Sequence, residues 1–189
     1  MKRLFSSTLF LLLLSTLTAC VGPDPRCVSL PGGGNYCLQP TSAVTPFAVQ
    51  QKVVAVFNGR QETMIVELEV DEEGMRFAGL TPFGQKIAQA GYDNQQVNSG
   101  LWPDKRLPPV LLLVLLQLAI WPADSVRAGL GGSAVLEDGE EQRRVLDDGT
   151  VLAEVGYTNG QPPYGNMRIG FPAWQVKFEV TTLDANGTK

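Results

Sequence analysis

Apolar and polar residues alternate along most of this 189-residue chain, in short runs that turn-forming residues separate. In the last run, apolar residues at 174, 176, 178 and 180 alternate with polar residues at 175, 177, 179 and 181. A period of two is typical of a strand with one buried face. The pattern predicts strands over 51–57, 61–70, 75–80, 85–92, 95–98, 133–137, 141–146, 151–157, 167–171 and 174–183. Asn58-Gly59 is a strong hairpin signal between the first two.

One segment breaks the alternation. Residues 110–120 are apolar except for Gln117, with Pro108 and Pro109 before them and Pro122 shortly after. Proline suits the first turn of a helix and cannot continue one, so the segment predicts a helix rather than a long strand. Such a helix would be about 16 Å long, roughly half the hydrocarbon core of a bilayer. Because it is apolar on every side, it should be buried all round.

Strands, one helix and strands again follow each other without a strand–helix–strand alternation. This order predicts a single α+β domain, in which an antiparallel sheet wraps around the short apolar helix.

The N-terminus has the layout of an export signal. Two basic residues precede an apolar stretch, which ends in Leu17-Thr18-Ala19-Cys20. These four residues resemble the lipobox of bacterial lipoproteins, in which the cysteine is diacylated and becomes the new N-terminus; the alternative is an ordinary cleaved signal. Residue 21 is Val rather than the Asp that is typical of inner-membrane retention. The resemblance implies palmitate-type acylation at Cys20 and a lipid anchor in the outer membrane, facing the periplasm.

Charge and composition exclude several function classes. The chain has 15 basic and 19 acidic residues and no histidine. A nucleic-acid binder that relies on charge is therefore excluded, as are Ser-His-Asp and Cys-His catalytic machinery. Cleavage after residue 19 would remove Lys2 and Arg3 and leave 170 residues with a net charge of −6. Acyl chains, not charge, would hold such a protein on a membrane.

Cys27 and Cys37 are the two remaining cysteines, and they flank a stretch rich in turn residues. In an exported protein this spacing favours a small disulfide loop over a metal or redox site. We expect residues 20–46 to form a tether that carries this loop, with no metal and no cofactor.

The charged side chains suggest no enzyme. Carboxylates cluster in turns and on outward strand faces, so we interpret them as solvated rather than as a glycosidase pair. The neighbouring Arg143 and Arg144 are interpreted as surface pairing rather than as a phosphate site.

Three local patterns, with the order of elements and the lipobox, resemble the LolA/LolB-like superfamily. They are Gly79-Leu-Thr-Pro-Phe-Gly-Gln85, the leucine-rich segment 107–122, and Pro163-Tyr-Gly-Asn-Met-Arg-Ile169 with the strand after it. The family builds an unclosed antiparallel β-barrel whose open side is plugged by helices, and it holds acyl chains in the hollow. The chain also looks like LolB-like lipoproteins that occur near aryl-polyene pigment biosynthesis functions.

The resemblance implies a lipid or lipoprotein carrier, acceptor or insertion factor. Its cavity lining would comprise Val54, Val56, Met64, Val66, Leu68, Phe77, Leu112, Leu113, Leu116 and Trp121. Phe83 would match a protruding residue that contacts a membrane or partner; it could equally fold inward. Implied partners are the membrane, lipid or lipoprotein cargo and a periplasmic carrier protein. The domain would span 47–185, with a tail at 186–189, and the alternative function is a solid-core structural accessory lipoprotein.

Overall fold

The computed structural model describes residues 24–57, 59–103 and 107–186, which form thirteen strands, two α-helices and two 3₁₀ helices (Thr41–Ala43 and Pro172–Trp174) within these ranges. The predicted signal peptide, residues 1–19, and the predicted lipidation site, Cys20, therefore lie outside the described residues. The strands are β1 (Cys27–Ser29), β2 (Asn35–Cys37), β3 (Phe47–Phe57), β4 (Arg60–Val70), β5 (Met75–Leu80), β6 (Lys86–Tyr92), β7 (Val97–Ser99), β8 (Leu130–Gly131), β9 (Ala134–Asp138), β10 (Gln142–Asp147), β11 (Thr150–Thr158), β12 (Asn166–Phe171) and β13 (Val176–Asn186). The helices are α1 (Pro109–Ile120) and α2 (Ala123–Gly129).

Ten antiparallel strands form one large sheet in the order β7-β6-β5-β4-β3-β13-β12-β11-β10-β9. The first and last long strands, β3 and β13, pair with each other. Their register runs from the pair Phe57 and Val176 to the pair Ala48 and Asn186. The two edge strands, β7 and β9, do not pair with each other among the described residues. The predicted α+β fold, an incompletely closed antiparallel barrel wrapped on a short apolar helix, is therefore confirmed.

The apolar helix α1 occupies the concave side of the large sheet. It begins at Pro109, as the proline signal predicts, and ends before Trp121 and Pro122. Most of its side chains are buried, and Leu113 and Val114 have no exposed surface. Because the helix has no polar face, burial on all sides is the arrangement that removes its leucines from water.

The predicted tether is wrong for residues 26–46. Strands β1 and β2 form a hairpin that pairs with β8, so this segment adds a second, three-stranded sheet over the concave side. Leu30, Tyr36 and Leu38 are buried in the common core. Turn residues dominate the composition of this segment, so the sequence pattern did not reveal the three buried side chains that hold it in place.

Cys27 and Cys37 lie opposite each other in this hairpin and form a disulfide. The bond joins the two strands whose side chains pack against α1, so it crosslinks a part of the core rather than a loop on a tether.

Helix α2 follows α1 after Pro122 and was not predicted, since its seven residues are too few for a clear apolar period. It carries Asp124 in its first turn and Arg127 in its last, which suits the helix dipole at both ends. Directly after α2, Leu130–Gly131 forms strand β8, which pairs with β2.

Gly129, the last residue of α2, is the point of closest approach between α2 and the β1–β2 hairpin. A Cβ atom added there would lie 2.5 Å from Cε2 of Tyr36 and 2.8 Å from the carbonyl oxygen of Cys37. The Tyr36 ring is fully buried and the second contact is backbone, so neither neighbour can move away freely.

We therefore expect Gly129→Ala to lower the free energy of unfolding by about 1–3 kcal/mol, the usual effect of overpacking. Urea unfolding followed by circular dichroism measures this. The matched control is Gly156→Ala, where an added Cβ meets no atom within 4 Å. Equal stability of the two variants would contradict the tight contact between Gly129 and Tyr36.

Candidate functional site

The candidate site is the apolar interior between α1 and the inward faces of β4 and β5. From the sheet, Val66, Leu68 and Phe77 are buried here, and Met64 is half-buried at one end of the same row. Side chains on one face of neighbouring strands lie close enough to pack together. The structure thus brings these four predicted lining residues together on one surface.

The helix contributes its predicted residues with two different degrees of exposure. Leu113 is fully buried, whereas Leu112 and Leu116, one turn apart, are half-buried. Trp121, just after the helix, is also fully buried, and its Nε1 donates a hydrogen bond of 3.2 Å to the carbonyl oxygen of Pro40. In this structure the interior is filled by helix side chains, and Leu112 and Leu116 form its solvent-accessible stripe.

Val54 and Val56 lie on the outward face of β3, which corrects their predicted place in the lining. The register pairs Val54 with Thr63 on one side and Glu179 on the other. The inward positions of this strand are the odd-numbered ones, such as the buried Val53. The two valines therefore face solvent together with polar side chains.

Arg143 holds the C-terminal end of α1. Its Nη1 donates hydrogen bonds to the carbonyl oxygens of Leu118, at 2.9 Å, and Trp121, at 2.8 Å. Its Nε donates to Oδ1 of Asp138 at 2.6 Å. The guanidinium thus satisfies carbonyls that a helix end leaves without partners, and it carries the charge that the helix dipole favours there.

The surface interpretation of Arg143 is therefore wrong, because the residue is only 7% exposed. Arg144 fits that interpretation: its Nη2 lies 3.3 Å from Oε2 of Glu137, and both side chains are largely exposed. Alternation along β10 sends the two arginines to opposite faces of the sheet. That alternation was the available signal, since Val145 and Arg143 share the inward face.

Gln117, the polar residue of α1, binds the β1–β2 hairpin and the segment after it. Its Oε1 accepts a hydrogen bond of 2.8 Å from the backbone nitrogen of Gln39, and its Nε2 donates one of 2.9 Å to the carbonyl oxygen of the same residue. The hydroxyl of Tyr36 donates to Oε1 at 3.3 Å. A buried amide with all these partners fixes the position of the helix relative to the hairpin.

Tyr157 on β11 adds a further contact, since its hydroxyl donates a hydrogen bond of 2.9 Å to the carbonyl oxygen of Ala119. The surrounding protein excludes water from this phenol and raises its pKa to about 12, although the nearby Arg143 acts in the opposite direction. Burial also raises the pKa values of Tyr36 and Tyr92. All three phenols are thus kept neutral, as hydrogen-bond donors, well into the alkaline range.

The first half of α1 is held differently. Residues 109–116 have no polar side chain, so packing alone holds them against the sheet. Nearby, the indole of Trp102 lies 6.5 Å from the ring of Phe77, and its Nε1 donates a 2.7 Å hydrogen bond to the carbonyl oxygen of Leu107. In the part of the chain that the structure describes, the side chains of α1 thus make polar contacts from Gln117 onwards and apolar contacts before it.

Phe83 lies at the tip of the β5–β6 turn, and its side chain is 98% exposed. The turn is closed by hydrogen bonds of 2.9 Å from the Gly84 nitrogen to the Thr81 oxygen and of 2.8 Å from the Thr81 nitrogen to the Gln85 oxygen. Gly84 has a φ of +83°, which suits glycine there. Of the two alternatives for Phe83, the structure has the protruding one.

A cleft of about 720 Å³ lies on the opposite, outward face of β3–β7. Glu67, Glu69, Arg76 and Gln89 are among its lining residues. Arg76 forms ion pairs with Glu69 and Asp71. With this charged lining the cleft does not suit an acyl chain.

Within the described residues, no group of three or more His, Cys, Asp or Glu side chains is placed to hold a metal ion. None of the helices in that part of the chain combines the length and the apolar character needed to cross a membrane.

Comparison with protein families places residues 48–184 in the family described as protein of unknown function (DUF3261). The match covers well over half of the chain, so the chain belongs to this family. No curated protein matches the sequence.

The solved structures that are similar to this one include the following two. A LolA superfamily protein from Nitrosomonas europaea has 8% sequence identity and a TM-score of 0.46, with 81% of this chain and 95% of that chain covered. An outer membrane lipoprotein-sorting protein domain from Vibrio parahaemolyticus has 8% identity and a TM-score of 0.36, with 77% and 86% covered. A LolA superfamily protein is thus among the structures that this chain resembles.

The position of Arg143 generates a stability prediction. We expect Arg143→Ala to lower the free energy of unfolding by about 3 kcal/mol, because Asp138 loses its partner and two helix carbonyls lose their donor. Arg144→Ala is the matched control and should cost less than about 1 kcal/mol, since its ion pair is exposed. Urea unfolding measures both; similar losses for the two arginines would show that Arg143 does not hold the helix.

The buried phenols generate a pH prediction. A tyrosine whose pKa is raised in the folded state stabilises the protein fully below pH 10, its unfolded value, and this contribution is lost as the pH rises towards about 12. We expect urea unfolding to show stability falling between pH 10 and 12, and Tyr157→Phe should make this fall shallower. A stability that stays constant over that interval would contradict the buried, neutral state of these phenols.

Proposed function

We propose that this member of the DUF3261 family is a lipid-anchored envelope protein that binds an acyl chain or another lipid-like hydrophobe and has no enzymatic activity. It would act as a carrier, acceptor or insertion factor in the trafficking of lipids or lipoproteins, or in the handling of an aryl-polyene lipid. The lipid anchor at Cys20 and the outer-membrane location are part of the proposal, and they rest on the lipobox resemblance.

The observation that carries the proposal is the two-part attachment of α1 inside an unclosed sheet. The half before Gln117 is hydrocarbon on all sides and belongs to the same apolar core as Val66, Leu68 and Phe77. An acyl chain offers the same kind of surface and gains about 0.8 kcal/mol for each CH₂ group that it buries. A bound chain could therefore replace the contacts of α1 with little change in the chemistry of the interior.

Leu112 and Leu116 mark the place where this exchange would begin. Both are half-buried, so a hydrophobe can contact them before the helix moves. The polar contacts of Gln117 and Arg143 would keep the end of α1 in place while its first half moves outward. A ligand would then shift the population towards the moved state, because only that state offers it a buried surface.

Phe83 would serve the transfer step rather than ligand binding. It protrudes from a turn with hydrogen bonds across it, so an aromatic side chain is presented to a membrane or a protein partner at little conformational cost. The partners in this proposal are lipid or lipoprotein cargo and a periplasmic carrier protein.

A second candidate function is a structural accessory lipoprotein of an envelope complex. The filled interior favours it: Leu113, Val114 and Leu118 have almost no exposed surface, and α1 is tied by Gln117, Arg143 and other polar contacts. In that case the helix would be a permanent part of the core.

Native mass spectrometry of the Cys20→Ser protein, purified from the periplasm and followed by lipid extraction, separates the two functions. Lipid carriage predicts an acylated or polyene species at close to one per chain. A chain that remains without ligand after incubation with envelope lipids would contradict lipid carriage and favour the accessory role.

A variant pair adds a test of the site. We expect Leu116→Ser to weaken ligand binding by about tenfold or more, because it removes apolar surface from the exposed stripe of α1. The control is Val135→Ser, which changes an exposed apolar residue on β9. Equal binding by both variants would place the ligand elsewhere.

A further inference from the structure

The two ends of the large sheet differ in chemical character. Strands β3, β5 and β12 terminate at the same end of the sheet, where turns connect them to β4, β6 and β13. We call this end of the strands, with its turns at Gly59, 81–85 and 172–175, the aromatic end. The opposite end of the strands, with turns that include 71–74, 93–96 and 139–141, is the acidic end.

Three exposed or half-buried rings lie at the aromatic end, whereas Tyr164 is the exposed ring near the opposite end. Phe83 is 98% exposed and Phe57, the last residue of β3, is 39% exposed. Trp174 lies half-buried in the turn between β12 and β13. The turns 81–85 and 172–175 contain no charged residue. Apolar side chains are thus the outermost features of three adjacent connections.

Three basic residues follow these turns, at the start of the next strand in each case. Arg60 is the first residue of β4, Lys86 the first of β6 and Lys177 the second of β13, and all three are exposed. Within the described residues none of them forms an ion pair; Lys86 donates a 3.4 Å hydrogen bond to Gln89 instead. The nearest carboxylates in the same strands, Glu62 and Glu179, lie two residues farther from the end.

Carboxylates dominate the other end. The turns at 71–74, 93–96 and 139–141 contain Asp71, Glu72, Glu73, Asp93, Glu140 and Glu141, and the fourth turn at this end, 159–165, has no charged residue. Two acidic residues, Asp147 and Asp148, do lie at the aromatic end of the strands. They border the β10–β11 turn, however, which is the connection on the far side of β12 from β3.

We infer that the aromatic end docks on the surface of an anionic phospholipid bilayer, with Phe83, Phe57 and Trp174 at the level of the headgroups and Arg60, Lys86 and Lys177 behind them. Aromatic rings favour this interface, and basic residues beside it are attracted to anionic headgroups. The acidic end then points away from the like-charged surface. The inference rests on the proposed function in that it gives lipid transfer its target surface, but it requires no bound cargo.

Charge complementarity selects a bilayer over a protein partner for this end. A partner pocket for Phe83 alone would not require three separate cations or an opposite end without basic turn residues. An anionic lipid surface attracts all three cations at once and repels the carboxylates, so it orients the whole domain.

Vesicle cosedimentation of the full chain with Cys20→Ser tests the inference, because this change removes the acyl anchor. The probes are vesicles of phosphatidylethanolamine and phosphatidylglycerol at 3:1, and vesicles of phosphatidylcholine alone. We expect binding to the anionic vesicles to be at least about fivefold stronger, and to weaken between 0.05 and 0.5 M salt, since screening shortens the reach of the charges.

Two sets of variants at opposite ends sharpen the test. Phe83→Ser, and separately Lys86→Glu with Lys177→Glu, should each lower binding to the anionic vesicles by about fivefold or more. The matched controls are Leu183→Ser and Tyr164→Ser, which change exposed apolar residues (52% and 46%) near the opposite end and should bind like the parent. Circular dichroism checks that every variant is folded.

A depth measurement adds an independent readout. Quenching of tryptophan fluorescence by brominated lipids should fall in Trp174→Phe, because Trp121 is fully buried and Trp102 is half-buried beside Phe77. The inference is overturned if the parent does not bind anionic vesicles, or if the control variants lose as much binding as Phe83→Ser. Bound lipid in mass spectrometry without vesicle binding would contradict this inference alone and leave the proposed function standing; capture of a protein partner through Phe83 would then explain the exposed ring.

Discussion

The buried cation of Arg143 is the constraint on which the arrangement of α1 depends. A helix that is apolar on every side can rotate and slide in an apolar interior without losing contact area, so packing alone does not fix its position. Arg143 removes this freedom, because its hydrogen bonds to the carbonyls of Leu118 and Trp121 exist in only one placement of the helix end. Asp138 balances the charge, so the guanidinium can remain buried.

From this end the rest of the interior can be built. Gln117, one residue before Leu118, connects the helix to the β1–β2 hairpin through both backbone groups of Gln39. The hairpin is in turn closed by its disulfide and packs against α2 at Gly129. Strand β10, helix α1 and the second sheet are thus joined by polar contacts around one helix end, while the first half of α1 contributes only hydrophobic surface.

Local signals explain what the sequence could predict. The alternation of apolar residues and the prolines around α1 are properties of neighbouring residues, and the strands and the helix were found from them. Val54 and Val56 were misplaced because 53–57 is apolar throughout and alternation is ambiguous there. Phe47 and Val49, which extend β3 backwards, set its inward face. Gln51 also faces inward, where its Nε2 donates to the carbonyl oxygen of Pro163 at 3.1 Å.

Contacts between residues that are far apart in the sequence could not be predicted from such local patterns. Arg143 lies 25 residues from Leu118, and Gln39 lies 78 residues from Gln117. No local pattern marks these pairs, and the turn-rich composition around Cys27 favoured a tether over the hairpin that is present. The spacing of the cysteines predicted the disulfide. That the segment belongs to the core follows from the burial of Tyr36 between them, which the sequence pattern did not indicate.

The difference between the two halves of α1, apolar contacts before Gln117 and polar contacts from Gln117 onwards, limits which part of the helix a ligand could displace. A ligand that displaced the whole helix would have to break the buried contacts of Arg143, Gln117 and Tyr157, each of which leaves a polar group without water or partner. Among the described residues, displacing only those before Gln117 breaks no polar side-chain contact of α1, and a bound hydrocarbon restores the apolar contacts that are lost. Lipid binding is therefore compatible with this structure only as a movement of the first half of α1 about a fixed end.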